Sequence, residues 1–336
     1  MISDTKPDGE KRESSPTSVS VRVPATSANL GPGFDCMGMA VTLWNTFELH
    51  LVPGEPVISV ESHGEGADIL PNGGNNLIAQ TMRGELYRIN FAQPGLIGPE
   101  IYKTQGYRIV ARNNIPCASG MGSSSTAVLA GLIFANALAY KQVNLEAILE
   151  RATALEGHGD NVAPALYGGL ILISYNGLTV VAERVQLPPW KVVICVPAYN
   201  FLTIEARAAV PKTLNRSDAV LNIGRAMLVA EALRNGDDTL LTRAMADRIH
   251  EPYRIPLIPG AAACQKAALD HGAVAVCLSG AGPGMLAFAR ENHEGIGQAM
   301  RTAYQNAGLS ARYWVLDASP TGVDIQITLN PNGIAR

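Results

Sequence analysis

Aromatic side chains are scarce in this chain: Phe, Trp and Tyr together fill 6% of its 336 positions. Charge is scarce too, at 16% Asp, Glu, Lys and Arg, and nearly balanced at a net −3. A general nucleic-acid binder needs clustered Lys and Arg to neutralise phosphates, so that class is excluded. Cysteine is confined to Cys36, Cys117, Cys195, Cys264 and Cys277. These are odd in number, scattered, and make no C-x-x-C pair. That excludes a disulfide framework and a zinc cluster, and it fits reduced thiols. The N-terminus lacks the apolar stretch of a secretory signal. The most apolar run, Ala127 to Ala139, is interrupted by Asn136 and falls short of the roughly 20 residues that span a bilayer. The expectation is a soluble cytoplasmic protein with neither membrane nor nucleic acid as partner.

What is abundant is apolar surface, at 47% of residues, and glycine, at 33 positions. The apolar content is ample to offset chain entropy, and the length suits two domains. Glycine in such number suits tight turns and close backbone approaches. Residues 1–18 are polar and read as a disordered tail. Val19, Val21 and Val23 alternate with polar neighbours, a strand signal that Pro24 should end. Further strand-like runs are Val41–Leu51, Pro56–Ser62 and Tyr107–Asn113, with Leu70–Asn76 a loop. Helical spacing covers Ser123–Tyr140 and Asn144–Gly157, and Leu170–Ile173 reads as a buried strand. A Pro188-Pro189 pair suggests a domain boundary near residue 185, giving domains of 19–185 and 186–336. Beyond it the pattern predicts strands at 191–196, 273–278, 284–289 and 311–316. Helices are predicted near 217–234, 238–248, 260–271 and 293–307. Hairpin-like strand pairs favour an α+β fold.

The most informative segment is Pro116-Cys117-Ala118-Ser119-Gly120-Met121-Gly122-Ser123-Ser124-Ser125-Thr126. It follows a strand and opens a helix. Gly120 and Gly122 let successive N–H groups turn inward, where the helix N-terminus adds about half a positive charge, and the result is a phosphate cradle. A capped helix after a glycine turn fits the same residues equally well. No Lys follows the second Gly, so this is not a G-x-x-x-x-G-K-[ST] loop, and G-x-S-x-G is absent as well.

The segment resembles the P-x-x-x-G-L-G-S-S loop of the GHMP kinases, which phosphorylate galactose, homoserine, mevalonate and phosphomevalonate. Met121 stands for the usual Leu and Thr126 for a frequent Ala. Two more segments carry the resemblance in the expected order. Val23-Pro24-Ala25-Thr26-Ser27-Ala28-Asn29-Leu30-Gly31-Pro32-Gly33-Phe34-Asp35 is similar to the N-terminal motif of the homoserine-phosphorylating members. Ser279-Gly280-Ala281-Gly282-Pro283-Gly284 is similar to the family's C-terminal glycine motif. The resemblance implies two α+β domains, an S5-like N-terminal one and a ferredoxin-like C-terminal one, with ATP and Mg²⁺ in the cleft between them. It also implies a phosphotransferase with an alcohol acceptor, commonly a homodimer.

Residue by residue, the resemblance puts the ATP phosphates on Pro116, Ser119, Gly120, Met121, Gly122, Ser123, Ser124 and Ser125, and adenine near Asn75 and Asn76. It gives Mg²⁺ to Ser124, with Ser123 as the alternative, and to Glu150. Glu150 lies eleven positions before Asn161. His158-Gly159-Asp160-Asn161-Val162-Ala163-Pro164 resembles an H-P-D-N-V-A-P signature, with Gly159 in place of Pro. Asn161 is a neutral amide where mevalonate-phosphorylating relatives carry Asp, which implies alignment and charge stabilisation rather than a strong base. Asn29, Asp35, His158 and Gly280 are expected on the substrate side. Thr203 and Arg207, in a stretch where Leu202 replaces Ser, join them, as does Arg254 of His250-Glu251-Pro252-Tyr253-Arg254. Two Arg forks suit an amino-acid carboxylate, and Asp35 suits its ammonium. The function implied is transfer of phosphate from ATP to L-homoserine, within threonine biosynthesis. The alternatives are a kinase for another small alcohol, such as mevalonate, and a non-catalytic binding protein on the same fold.

Overall fold

The structure, a computed structural model, describes residues 16–53, 57–97 and 105–329. Its first half runs β1 (Pro16–Ala28), β2 (Met37–Pro53), β3 (Ile58–Gly64), α1 (Leu77–Ala92), β4 (Gln105–Asn113), α2 (Ser123–Tyr140), α3 (Leu145–Glu156), α4 (Val162–Tyr167), β5 (Leu170–Tyr175) and β6 (Val180–Val185). The second half runs β7 (Lys191–Pro197), α5 (Thr203–Ala208), α6 (Arg216–Asn235), α7 (Asp238–Ala244), α8 (Glu251–Arg254), α9 (Ala261–Asp270), β8 (Ala275–Leu278), β9 (Met285–Ala289), α10 (His293–Asn306), β10 (Ala311–Asp317) and β11 (Asp324–Leu329).

Seven strands make the first sheet, in the order β11-β1-β2-β4-β3, with β5 pairing the start of β2 and β6 pairing β5. The second sheet is antiparallel, in the order β10-β7-β9-β8. We place the division between the two units near residue 185 as a proposal, supported by the change of sheet between β6 and β7. One element crosses it: β11 returns from the far end of the chain and pairs with β1 from Pro16↔Leu329 to Arg22↔Asp324. The first domain is therefore not confined to 19–185. Most of the expected tail lies outside the described residues, but Pro16–Ser18 already belong to the sheet.

Pro24 does not end its strand. The register of β1 on β2 shifts between Pro24 and Ala25, and a bulge is where a strand tolerates a residue without an N–H. Beyond the bulge β1 continues to Ala28, which carries Thr26, Ser27 and Asn29 to the junction of the sheets.

Alternation distributes side chains to three apolar layers. Val19, Val21 and Val23 face α1, α2 and α3, whose Met82, Leu86, Leu129, Ile133 and Ile148 complete the first core. On β7, Val192 and Ile194 join Met39, Val41, Leu170 and α6 residues Val229 and Leu233 in the layer between the sheets. Val193 and Cys195 point the other way, toward Cys264, Met300 and Tyr304 of α9 and α10. The apolar run 127–139 is the middle of α2. This helix is long and apolar enough to cross a membrane by length and composition, and 72% of it is buried inside the first domain.

Candidate active site

The glycine–serine segment leaves β4 and enters α2 through three left-handed residues, Ala118 (φ 50°), Gly120 (φ 78°) and Gly122 (φ 71°). Gly122 occupies the N-cap position, and no side chain caps this helix. The first-turn N–H groups are left for an outside acceptor, which rules out the capped-helix reading. Ser119 instead braces the loop: its hydroxyl donates to the Pro116 carbonyl (2.8 Å) and accepts from the Met121 N–H (3.2 Å). Met121 is fully buried between the sheets and anchors the turn. Buried Asn45 supports the approach. Its amide oxygen accepts from the Asn114 and Ile115 N–H groups, and its nitrogen donates to the Thr126 hydroxyl.

The Ser279–Gly284 loop closes over this turn. A Cβ on Gly120 would stand 2.0 Å from the Ser279 carbonyl oxygen. The Ser279 hydroxyl donates to the Gly120 carbonyl at 2.7 Å, and the Gly284 N–H to the Ser119 carbonyl at 3.2 Å. The glycines thus serve backbone-to-backbone contact between the domains.

A cleft of about 450 Å³ opens beside these loops. Of the expected phosphate residues, Ser119, Gly120, Gly122, Ser123, Ser124 and Ser125 line it, as do Asn29, Asp35, His158, Asn161, Thr203, Arg207, Arg254 and Gly280 from the expected substrate side. Pro116 and Met121 do not: Pro116 faces a separate groove behind the loop, and Met121 is consumed by the core. Next to the cleft, sharing Ala118, Ser123 and Ser124 with it, lies a 210 Å³ pocket walled by Phe47, Leu70, Leu77, Ile78 and Ala127. Asn76 lines this pocket, but its amide is occupied in capping α1 at Ile78 N–H (3.0 Å) and donating to the Pro71 carbonyl (2.9 Å).

Glu150, to which the resemblance gives Mg²⁺, stands away from these groups. It is exposed on α3 and does not line the cleft. Six residues further on, which on a helix is about 120° around the axis and about 9 Å along it, stands Glu156. Its carboxylate accepts from the Ser124 hydroxyl at 3.4 Å and the Ser125 hydroxyl at 3.1 Å. Glu156 is the last residue of α3, where the helix dipole disfavours a carboxylate, so a cation between it and the serines is electrostatically apt.

On the substrate side, Asn29 uses both ends of its amide within the protein, donating to the Gly280 carbonyl (2.8 Å) and accepting from the Asp35 N–H (2.9 Å). It holds Asp35 rather than offering a free amide. Asp35 receives both terminal nitrogens of Arg207, at 3.0 and 2.9 Å across 172 residues of sequence. His158 meets Asp160 through Nδ1 at 2.6 Å. Burial alone would lower the His158 pKa, but the hydrogen bond and charge of Asp160 outweigh it and raise the pKa. The Asn161 amide oxygen accepts from the Thr26 hydroxyl at 2.8 Å.

Arg254 is the unusual group. It is 2% exposed, and its Nε donates to the Ala206 carbonyl at 3.0 Å. One terminal nitrogen meets His250 Nδ1 at 3.3 Å, and its guanidinium lies over the Phe34 ring. His250 is neutral, since burial lowers its pKa, and its Nε2–H donates to the Gly31 carbonyl, which leaves Nδ1 to accept. No carboxylate pairs with Arg254 among the described residues. Burial lowers its pKa to about 10, so it remains charged at neutral pH. Asp35, Asp160 and Asp247 lie near enough to favour its charge, but none is in contact with it, so a buried cation facing a cleft is left room for an anion.

The sequence reading missed Thr26, Asn45 and the cleft-facing role of Glu156. Thr26 and Glu156 lay within or next to motifs already singled out, Asn45 only in a strand-like run, and only the fold reveals which way their side chains point.

Comparison with known proteins gives the same outline. The family model for the GHMP kinases N terminal domain matches residues 87–169, and that for GHMP kinases C terminal matches 229–306. A homoserine kinase of Moorella thermoacetica is 37% identical over 86% of this chain and 93% of its own. One of Synechococcus sp. (strain RCC307) is 39% identical over 88% and 92%. The crystal structure of homoserine kinase from Cytophaga hutchinsonii superposes with a TM-score of 0.77 at 29% identity, covering 97% of this chain and all of that one. L. major mevalonate kinase, at 16% identity and a TM-score of 0.69 over 92% of this chain and 99% of that one, shares the fold. With both family halves matched in order, and relatives near 38% identity aligned along almost the whole length, the chain belongs to the GHMP kinase family.

Proposed function

We propose that the protein transfers the γ-phosphoryl group of ATP to the side-chain hydroxyl of L-homoserine, giving O-phospho-L-homoserine and ADP. The observation that carries this reading is the buried Arg254, with no carboxylate in contact, lining the same cleft as the Asp35–Arg207 pair and an uncapped helix start. An amino acid brings a carboxylate for Arg254 and Arg207 and an ammonium for Asp35, so no charge is left without a partner. The curated relatives above bear the name of this activity.

In the mechanism, the first-turn N–H groups of Ser123, Ser124 and Ser125 hold phosphate oxygens, and adenine enters the apolar pocket beside Asn76. Ser124, Ser125 and Glu156 offer the hard oxygen donors that suit Mg²⁺ together with phosphate oxygens, and they would hold it here. When bound, the ion neutralises phosphate charge. The arginines and Asp35 fix the ends of homoserine, so its hydroxyl faces the γ-phosphorus. A bond forms from that hydroxyl oxygen to phosphorus. The bond from phosphorus to the β–γ bridging oxygen breaks, and its electron pair leaves with ADP. The hydroxyl proton departs to solvent late, because a loose transition state asks little of the nucleophile, and Asn161 is not a base. We extend the reading to a cytoplasmic homodimer, checked by the mass of the protein in solution.

A panel of small alcohols with Mg-ATP, read as ADP release, tests the assignment. Homoserine should be turned over well above mevalonate, galactose and 4-hydroxybutyrate. Turnover of mevalonate with none of homoserine would sink the substrate assignment, and absence of Mg-ATP binding at millimolar nucleotide would sink the enzyme.

A further inference from the structure

Thr26 touches both halves of the reacting assembly. It is 1% exposed, late in β1. Its N–H donates to the Met121 carbonyl within the phosphate loop at 3.2 Å, and its hydroxyl donates to Asn161 Oδ1 at 2.8 Å, across 135 residues of sequence. Gly122 lies between them. A Cβ there would fall 2.2 Å from Thr26 Oγ1 and 3.2 Å from Asn161 Oδ1. The second glycine of the loop therefore clears the space in which this hydrogen bond forms, besides supplying its left-handed turn.

The bond decides which end of Asn161 meets the reactants. A terminal amide torsion is broad and nearly two-fold, so an Asn side chain alone presents its oxygen or its nitrogen with little preference. Here the oxygen is taken by Thr26, and the nitrogen has no hydrogen-bond partner among the described residues. Since Asn161 lines the cleft, it offers a donor there. A donor suits the oxygens that carry negative charge during phosphoryl transfer, whereas an inverted amide would turn a lone pair on them. We propose that Thr26 is a positioning residue: it locks the Asn161 amide with its N–H₂ toward the reactants, and it ties that amide to the phosphate loop so the two stay in register. This inference rests on the phosphoryl-transfer reading above.

Thr26→Val keeps the shape and the N–H bond to Met121 but removes the hydroxyl. Thr26→Ser keeps the hydroxyl, and Thr26→Ala removes it while leaving space. Each is made in the wild type and in Asn161→Ala, with kcat, both KM values and Tm measured. Thr26→Val and Thr26→Ala should lower kcat about 10- to 100-fold, the scale of a misaligned reacting group. The KM values for ATP and homoserine should stay within about threefold, and Thr26→Ser should restore most of kcat. In Asn161→Ala the same substitutions should lower kcat no further, because the group they act through is gone. A kcat within threefold of wild type for both hydroxyl-less variants, or an equal fall in both backgrounds, would overturn the proposal. Thr26→Ala serves where Thr26→Val fails to fold. A wild type inert toward homoserine but active on another panel alcohol would overturn the substrate reading alone, and the Thr26 series is then read with that alcohol. Inertness toward every alcohol would overturn both.

Discussion

The two walls of the cleft are built in opposite ways. The wall proposed for the phosphates is backbone: the Ala118–Ser124 turn, with left-handed residues at Ala118, Gly120 and Gly122, leads into a helix start that no side chain caps. The substrate wall is side chains: Asp35, His158, Arg207 and Arg254 come from four separate segments and meet only in the folded chain. A backbone wall depends on what is absent, since a single added carbon blocks it. A side-chain wall depends on charges that must balance. The first is therefore broken by bulk and the second by charge, and the substitutions below separate the two.

Gly120→Ala is the most damaging. Its methyl would lie 2.0 Å from the Ser279 carbonyl, and the backbone there is left-handed, so both loops must shift. We expect kcat/KM to fall by roughly 1,000-fold or more, about 4 kcal/mol of transition-state stabilisation, with a lower Tm. Near-normal ADP release from this variant would show that the loop is not the phosphate wall.

Arg254→Met should act with opposite signs on function and stability. The guanidinium is buried with no carboxylate in contact, so an apolar chain of similar volume relieves the cost of burying that charge. The homoserine KM should rise about 100-fold, or about 2.7 kcal/mol, while that for ATP changes little and the ligand-free Tm holds or rises. A fall in Tm with unchanged KM would mean that Arg254 is a structural cation and that the substrate wall lies elsewhere.

How much of this was readable beforehand follows from the same contrast. The phosphate wall was legible because its chemistry is local: Gly, Gly and Ser at fixed spacing dictate the turn. Glu156 was not, because helix phase decides which carboxylate faces the serines, and the family resemblance pointed to exposed Glu150. In the fold, α1 escaped notice although Ile78, Met82, Leu86 and Ile89 keep helical spacing. Glu85 sits on the same buried side and breaks the apolar pattern. It is tolerated because Arg88 and Arg151 pair with it at 2.6 to 2.9 Å. The last strand, β11, was missed although Ile325, Ile327 and Leu329 alternate with Asp324, Gln326 and Thr328; what no local pattern can give is its partner, since β1 lies at the other end of the chain. The strands that were readable, such as β1, β7, β8 and β9, showed either alternation or a short continuous apolar run, and both are local properties.

The carboxylate assignment is settled by a pair. Glu156→Gln should lower kcat about 30- to 100-fold and raise the Mg²⁺ needed for half-maximal rate, since an amide is a poorer ligand for a hard cation. Glu150→Gln should stay within about threefold of wild type. Reversed outcomes would return the role to Glu150.

The smallest effect concerns the support behind the substrate wall. Glu251 is buried, and its carboxyl accepts the Leu278 N–H at 2.7 Å, at the end of the strand that leads into the Ser279–Gly284 loop. Burial pushes its pKa up to about 8, with the Asp247 charge adding to the rise, while the Leu278 hydrogen bond and the Arg254 charge oppose it. Between the ordinary carboxyl value and pH 8 the folded protein then holds a proton that the unfolded chain has released. Stability from this group is complete at acid pH and is lost as pH rises through that window, by up to about 1.4 kcal/mol per pH unit. His158, whose pKa is raised, adds loss above its unfolded value, and His250, whose pKa is lowered, acts the other way. The difference between wild type and Glu251→Gln cancels both. The Gln amide reproduces the protonated carboxyl, so urea unfolding should find the variant near wild type at pH 5 and more stable than wild type at pH 8. A difference that does not change between those pH values would mean that Glu251 is already ionised in the folded protein. The substrate wall would then rest on a buried charge rather than a neutral hydrogen bond, and the contrast with the uncharged backbone wall would extend one layer deeper.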